Sequence, residues 1–542
     1  MNPRLFIIFS IGIVVAVSCS RTQPQAKAPK SENTKNVIMI IGDGMGPQQM
    51  GLLLAYARQA PHSVVKNRTT ALDRMLKEGG VLGLSMTHAA NSLATDSAAS
   101  GTQLATGKPS GVEMIGSDAD GNRTTTILEI AKNQGKSTGL VSDVRITHAT
   151  PAAFAAHQPH RSLENEIALE MLNTGPDVML SGGLRHWISQ EANDKNSEVR
   201  KELEQMSEGV VKINSRRKDS RNLVKEAQQQ GYTLAFTKSQ MERAAGKILG
   251  LFAYSALPDG IKVNRTKDDP NRSVPTLKEM SAKAIEVLSK NDKGFFLMIE
   301  AGRIDWAGHY NDTGTMLHEM LIFNEVLNYV LDWAKNRDRD DTLIVVSADH
   351  ETGGFGFSYS AADLPQARDL PGSLFQGRKF KPNFNFGHPE VLDKIYNQKL
   401  SYEEIFLSKF DGLPKEEQTP AKLMKIINEN TEFDITELQA ARILETEENP
   451  FYMKGHQDLG SKKVPKIDVN DAFFPHPLDD NRQNLLAIAV ATRQGAVWST
   501  GTHTATPVLV FAKGPARATV PFAQVMHQTQ LGQNAINALT NK

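Results

Sequence analysis

Three separate apolar segments in this 542-residue chain, residues 37–41, 295–299 and 343–346, each run straight into a side chain of a metal-binding type. The first leads to Asp43, the second to Glu300 and the third to Asp349-His350. Apolar runs of this length, with no polar alternation, read as strands covered on both faces, as in a parallel sheet. In open α/β sheets the ligand site lies beyond the carboxyl ends of such strands. Groups far apart in sequence can therefore converge on one spot. Asp305 and His309 follow soon after Glu300, spaced to share one side of a helical turn, and His503 stands near the C-terminus in Thr502-His503-Thr504. This inventory of carboxylates and imidazoles exceeds the needs of a single ion. The expected fold is α/β, a three-layer α/β/α sandwich around a large, mostly parallel sheet.

Between these side chains lies Thr95-Asp96-Ser97-Ala98-Ala99-Ser100-Gly101. Small residues around a serine let a helix N-terminus approach a ligand closely, and free backbone N–H groups there favour anions. A serine hydroxyl is a weak nucleophile until a base or a metal activates it. Five motifs then stand in a telling order: Ile41-Gly42-Asp43-Gly44-Met45-Gly46, Thr95-Asp96-Ser97-Ala98-Ala99-Ser100, Glu300-x4-Asp305-x3-His309, Asp349-His350 and Gly501-Thr502-His503. Together they resemble the motifs of the alkaline phosphatases, over roughly residues 35–542 with one large insertion.

The resemblance implies a role for each residue. Ser97 is the implied nucleophile. Arg161, counted from Ala149-Thr150-Pro151-Ala152, is the implied phosphate clamp, since a planar guanidinium can hold two oxygens at once. Asp43, Asp349 and His350 are implied to hold a zinc ion beside Ser97, and Asp305, His309 and His503 a second zinc ion. Asp43, Thr150 and Glu300 imply a third site whose oxygens suit Mg²⁺. On their own, Thr150 would read as a local cap before Pro151 and Arg161 as a solvated side chain. His148 and Trp306 stand where the best-known bacterial form has aspartate and lysine. The pair resembles another bacterial branch and leaves the identity of the third metal open. His62, His157, His186, His318, His388, His456, His476 and His527 read as structural or surface histidines.

The implied activity is hydrolysis of small phosphomonoesters through a phosphoserine. A phosphodiesterase is the nearest alternative, because the same scaffold hosts diesterases and sulfatases. Sulfatases of that kind use a modified cysteine or serine in a C/S-x-P-x-R context, whereas Ser97 is followed by Ala-Ala-Ser and the only cysteine is Cys19. Diesterases of the group lack the third-metal set, which is complete here. A lipid-anchored binding protein with an inactive site should have lost ligands, and none is missing.

Lys+Arg and Asp+Glu are both 61, so the net charge of zero gives no indication of a nucleic-acid partner. Residues 5–17 are apolar but too short to span a bilayer comfortably, and they end in Ala16-Val17-Ser18-Cys19. Small residues before a cysteine resemble a bacterial lipobox, with Cys19 as the lipidated residue. The expected organisation is a signal peptide at 1–18, a flexible tether at 19–34 and a catalytic domain at 35–542. An exported periplasmic or cell-envelope lipoprotein follows from that start. With one cysteine, no intramolecular disulfide can form. The family is often dimeric, so a homodimer is compatible, although no apolar stripe bears on it. Residues 359–480 break the α/β alternation and read as an inserted, mainly helical subdomain near the site entrance, with Thr419-Pro420 and Thr436/Gln439 as helix starts. Residues 191–230 read as a solvated helical element, 316–333 as an amphipathic helix, and 485–491 and 508–511 as returning strands.

Overall fold

The three apolar runs form neighbouring parallel strands, Asn36–Gly42, Phe295–Ala301 and Thr342–Ala348, with the first in the middle. Their side chains alternate between two cores. Ile38, Ile40, Leu297, Ile299, Ile344 and Val346 enter one hydrophobic cluster, while Val37, Met39, Ile41, Phe296, Met298, Leu343 and Val345 enter the other. Burial on both faces is why these sequences show no polar alternation. The computed structural model describes residues 33–336, 340–456, 459–467, 473–475 and 481–542. The apolar segment 5–17, Cys19, tether residues 20–32 and His476 lie outside the described residues.

The full sheet has ten strands, in the order Val525–His527, Val81–Met86, Val508–Lys513, Thr342–Ala348, Asn36–Gly42, Phe295–Ala301, Ser137–Arg145, Val178–Gly182, Lys247–Leu251, Tyr232–Ala235. Only Val508–Lys513 runs antiparallel to its neighbours. Helices Pro47–Gln59, Leu277–Leu288 and Thr313–Asn336 feed the first cluster; Ser97–Thr106, Ala149–Ala155, Glu164–Thr174 and Gln528–Thr540 feed the second. This is the expected α/β sandwich. Among the described residues no helix is long and apolar enough to cross a membrane.

Residues 485–491 depart from expectation. They lie inside helix Arg482–Gln494, which ends at Gly495 in the left-handed conformation at φ 62°. Its buried face is Gln483, Asn484, Leu486, Ala487, Val490 and Gln494, a helical repeat completed by polar side chains that a count of apolar residues misses. Residues 191–230 contain helices Glu198–Met206 and Leu223–Gln229, but Val211, Ile213, Leu223, Val224 and Ala227 are buried in the second cluster. The segment is therefore more than a solvated appendage. The helix expected over 316–333 runs from Thr313 to Asn336 and is buried on most sides.

Within 359–480, helices Glu390–Tyr396, Pro420–Asn430 and Glu437–Leu444 form, with a π-helical stretch at Glu404–Phe410. Thr419 caps the second of these helices with proline at its start, and Thr436 and Gln439 make a reciprocal capping box on the third. Leu392, Ile395, Phe406, Leu423, Ile427 and Ile443 join the first cluster, so these helices are continuous with the main core.

Candidate active site

Sheet register brings the first carboxylates together. Glu300 lies beside Ile41 and Ala348 beside Gly42, so Asp43, Glu300 and Asp349 meet at the ends of three adjacent strands. The chain then turns through Gly44 at φ 70°, whose N–H donates to Asp349 Oδ1 at 3.1 Å. A Cβ on Gly44 would sit 2.8 Å from Asp305 Cα, and one on Gly46 would sit 2.1 Å from Glu351 Cγ. Both glycines are therefore what lets the ligand-bearing elements close up.

Helix Arg303–His309 carries Asp305 and His309, with His309 Nε2 3.2 Å from Asp305 Oδ2. His503 arrives on the short strand His503–Thr504, which pairs antiparallel with Glu351–Thr352 directly after Asp349-His350. That pairing delivers a C-terminal histidine to the central strands. His503 Nε2 lies 3.1 Å from His309 Nε2 and 3.5 Å from Asp305 Oδ1, and its ring stacks on His350 at 3.6 Å between centroids.

Three overlapping groups result: Asp305/His309/His503, Asp43/Asp305/His350 and Asp43/His148/Glu300, each with its ligand atoms within 4.8 Å of one another. Asp349 Oδ2 is 3.2 Å from His350 Nε2, beside the second group. Thr150 lies buried on helix Ala149–Ala155, and His148 is the residue just before that helix. Thus Asp43 is shared, and His148 stands within the third group.

These side chains fit metal ions. Both oxygens of Asp43, Glu300 Oε1, Asp349 Oδ2, His148 Nδ1 and Thr150 Oγ1 are buried without a hydrogen-bond partner. Buried polar atoms are costly unless something satisfies them. The far sides of the rings are occupied: His309 Nδ1 faces the Gly501 carbonyl at 2.7 Å and His503 Nδ1 the Thr95 carbonyl at 2.9 Å. A carbonyl only accepts, so each Nδ1 carries a proton, and in the neutral ring each Nε2 then turns a lone pair toward the carboxylates, the arrangement of metal-ligating histidine. Burial pulls His350 down to about 4 and His503 to about 3, so both rings are neutral, the form that can ligate a metal. Burial, aided by nearby Asp143, pushes Glu300 up to about 8, and burial with Asp305 pushes Asp349 up to about 6. Carboxylates crowded this way favour cations in their midst.

Ser97 opens helix Ser97–Thr106, where Asp96 accepts the N–H groups of Ala98 and Ala99. Its Oγ is 3.2 Å from His350 Nε2. Ser100 Oγ donates to the Asp349 carbonyl at 2.7 Å, locking this helix to the Asp349-His350 segment. Arg161 lies in a turn; its Nη1 donates to Asp96 Oδ2 at 2.9 Å and its Nη2 lies 3.2 Å from His148 Nε2. Burial opposes the charge on Asp96, but Arg161 outweighs it and holds the carboxyl below its usual range.

A cavity of about 720 Å³ opens over this constellation, lined by Ser97, His148, Arg161, Asp305, Trp306, His309 and His503. Its rim adds His160 with Glu113, 2.8 Å apart, and Arg145 with Glu164, 2.6 Å apart. His456 also lines it, against the expectation of a purely structural or surface histidine, because the segment after residue 359 reaches back over the site. No motif marked these rim residues. No sequence pattern signals the hold of Asp96 on Arg161, since capping alone accounts for an aspartate at a helix start.

An open α/β sheet with a buried serine, an arginine and overlapping groups that could hold metal ions at its strand ends is the arrangement of a metal-binding hydrolase. The family model for alkaline phosphatase matches residues 34–380. Alkaline phosphatase 3 of Bacillus subtilis (strain 168) is 31% identical over 545 residues, covering 98% of this chain and 96% of that one. Alkaline phosphatase 4 of the same organism is 34% identical over 418 residues, covering 73% and 79%. The crystal structure of Thermus thermophilus alkaline phosphatase matches with a TM-score of 0.72 at 26% identity, covering 94% of this chain and 92% of that one. The chain belongs to the alkaline phosphatase family and is a phosphomonoester hydrolase.

Proposed function

We propose that the enzyme hydrolyses phosphomonoesters in two steps through Ser97, with two zinc ions and one magnesium ion as cofactors. Asp305, His309 and His503 would hold one zinc, and Asp43, Asp349 and His350 the other. Asp43, Thr150 and Glu300, with His148 alongside, would hold the third ion. Bound there, such cations stabilise charge on the entering and leaving oxygens and lower the pKa of a hydroxyl or water.

The observation that carries the proposal is the placement of Ser97 Oγ, 3.2 Å from His350 Nε2 and in one cavity with Arg161. Ser97 Oγ forms a bond to phosphorus as the ester P–O bond breaks and the alcohol leaves. Water then attacks the phosphoseryl group, releasing inorganic phosphate and restoring the hydroxyl. Arg161, oriented by Asp96, presents its remaining N–H groups to the transferred phosphoryl oxygens.

The same proposal places the enzyme outside the cytoplasm. Residues 1–18 would act as a lipoprotein signal peptide, Cys19 would carry the lipid in the periplasm or cell envelope, residues 19–34 would tether the domain, and 359–480 would be an insertion in it. The supports are the apolar segment 5–17 and the solitary cysteine after small residues. A homodimer is compatible with all of this.

The test is a panel of a phosphomonoester, a phosphodiester and a sulfate ester, assayed at alkaline pH. Monoester turnover should dominate, vanish with a chelator and return with zinc plus magnesium. Equal or faster diester turnover contradicts the proposal.

A further inference from the structure

We propose that Thr352 is a positioning residue whose single hydroxyl ties two metal-ligand groups together, accepting from His350 Nδ1–H and donating to Asp305 Oδ1. The inference rests on the metal-binding role proposed above for those two ligands.

Thr352 follows Asp349-His350 on the short strand Glu351–Thr352 and is completely buried. Its backbone is fixed from three directions. Its N–H donates to the Gly44 carbonyl at 3.2 Å, its carbonyl accepts from Gln49 Nε2 at 2.8 Å, and its strand pairs with His503–Thr504. Its side chain fills a slot shaped by two glycines. A Cβ on Gly44 would lie 2.8 Å from Thr352 Oγ1, and a Cβ on Gly308 would lie 3.0 Å from Thr352 Cβ and Cγ2. The hydroxyl therefore faces the Asp43–Gly44 turn while the methyl group packs on helix Arg303–His309.

The hydrogen bonding has one consistent direction. Thr352 Oγ1 lies 2.5 Å from Asp305 Oδ1 and 3.2 Å from His350 Nδ1. An ionised carboxylate only accepts, and a short O–H···O contact is where the hydroxyl proton belongs. With its one proton committed to Asp305, the hydroxyl can only accept from His350, so Nδ1 carries the imidazole proton. His350 Nε2 is then left unprotonated, 3.2 Å from Ser97 Oγ and 3.5 Å from Asp43 Oδ1. At the other end of the chain, Asp305 Oδ2 stays 3.2 Å from His309 Nε2. One hydroxyl thus sets the tautomer of a ligand in one group and the carboxylate orientation in another. His309 and His503 each use a backbone carbonyl for this task; His350 uses a side chain that is itself bonded to the neighbouring group.

Thr352→Val keeps the shape and removes the hydroxyl, whereas Thr352→Ser keeps the hydroxyl and removes the methyl group. Zinc alone would be titrated by calorimetry into chelator-treated protein, with thermal melting run alongside and ¹⁵N NMR of labelled histidine recorded before zinc is added. Thr352→Val should weaken zinc binding by about 10–100-fold, the usual cost of losing a ligand's outer partner. It should also erase the Nδ1-protonated signature of His350, while Thr352→Ser retains wild-type affinity and signature. Wild-type affinity in Thr352→Val overturns the proposal. Equal weakening in both variants also overturns it, because the methyl packing against Gly308 would then be what matters. A wild-type protein that binds no zinc would overturn the metal-binding role itself, and this proposal with it.

Discussion

Replacing Trp306 by lysine should make inorganic phosphate a stronger inhibitor. Trp306 stands between Asp305 and His309 on helix Arg303–His309 and walls the cavity. The Arg303 guanidinium lies 4.9 Å from its ring and is held in turn by Glu403 at 2.7 Å, with Glu319 at 3.6 Å. The tryptophan offers a bound phosphate no charge. A lysine there adds a charge-assisted hydrogen bond, contributing about 1.5–3 kcal/mol, or roughly 10–150-fold in affinity. Two further effects enter. The lost cation–π contact costs about 0.5–2 kcal/mol of stability rather than of affinity. Repulsion from Arg303 is small, because Glu403, 2.7 Å away, already pairs with it. The expected net result is roughly a tenfold lower inhibition constant for phosphate, with a slightly lower melting temperature. Steady-state product inhibition of the two proteins measures this directly. An unchanged inhibition constant would show that Trp306 is packing and nothing more.

Further outcomes follow from the same geometry. Gly46→Ala puts a Cβ 2.1 Å from Glu351 Cγ and should cost about 1–3 kcal/mol by calorimetry; an unchanged melting temperature contradicts the tight slot. For the chelated protein, stability should fall as pH rises from about 6.5 to about 8. Glu300, raised to about 8, and His309, also raised, contribute stability that is lost as pH climbs through their folded values. The lowered groups His350 and His503, at about 4 and 3, act with opposite sign only below that window. Glu300→Gln should flatten the decline, and a melting curve series across pH checks it. Cys19→Ala should convert a membrane-bound enzyme into a soluble exported one or an unprocessed precursor; native enzyme that fractionates as soluble with an unmodified N-terminus contradicts the anchor.

The sheet centre and the ligand set were legible because both faces of three strands are apolar and each strand ends in a ligand. Burial on two sides leaves an unmistakable sequence, and strand-end chemistry follows from topology. Helix Arg482–Gln494 was illegible for the opposite reason, since Gln483, Asn484 and Gln494 occupy its buried face and disguise the period. The cavity rim was equally hidden. Glu113, Arg145, His160 and Glu164 come from turns, a strand end and a helix start whose neighbours in space cannot be read from local pattern. Thr352 carries no local signal in the sequence; only the closeness of Gly44 and Gly308 reveals why a threonine sits there.

The central claim is that Ser97 carries the phosphoryl group. Purified enzyme, incubated with labelled phosphate and quenched in acid, should yield one phosphorylated peptide, with the label on Ser97. Ser97→Ala should give no labelled peptide, while turnover falls by a factor on the order of 10³ or more. Its fold and metal content should persist, since the Ser97 hydroxyl lies near His350 and is not part of the core. Label that survives in Ser97→Ala, or maps to another residue, would contradict the account.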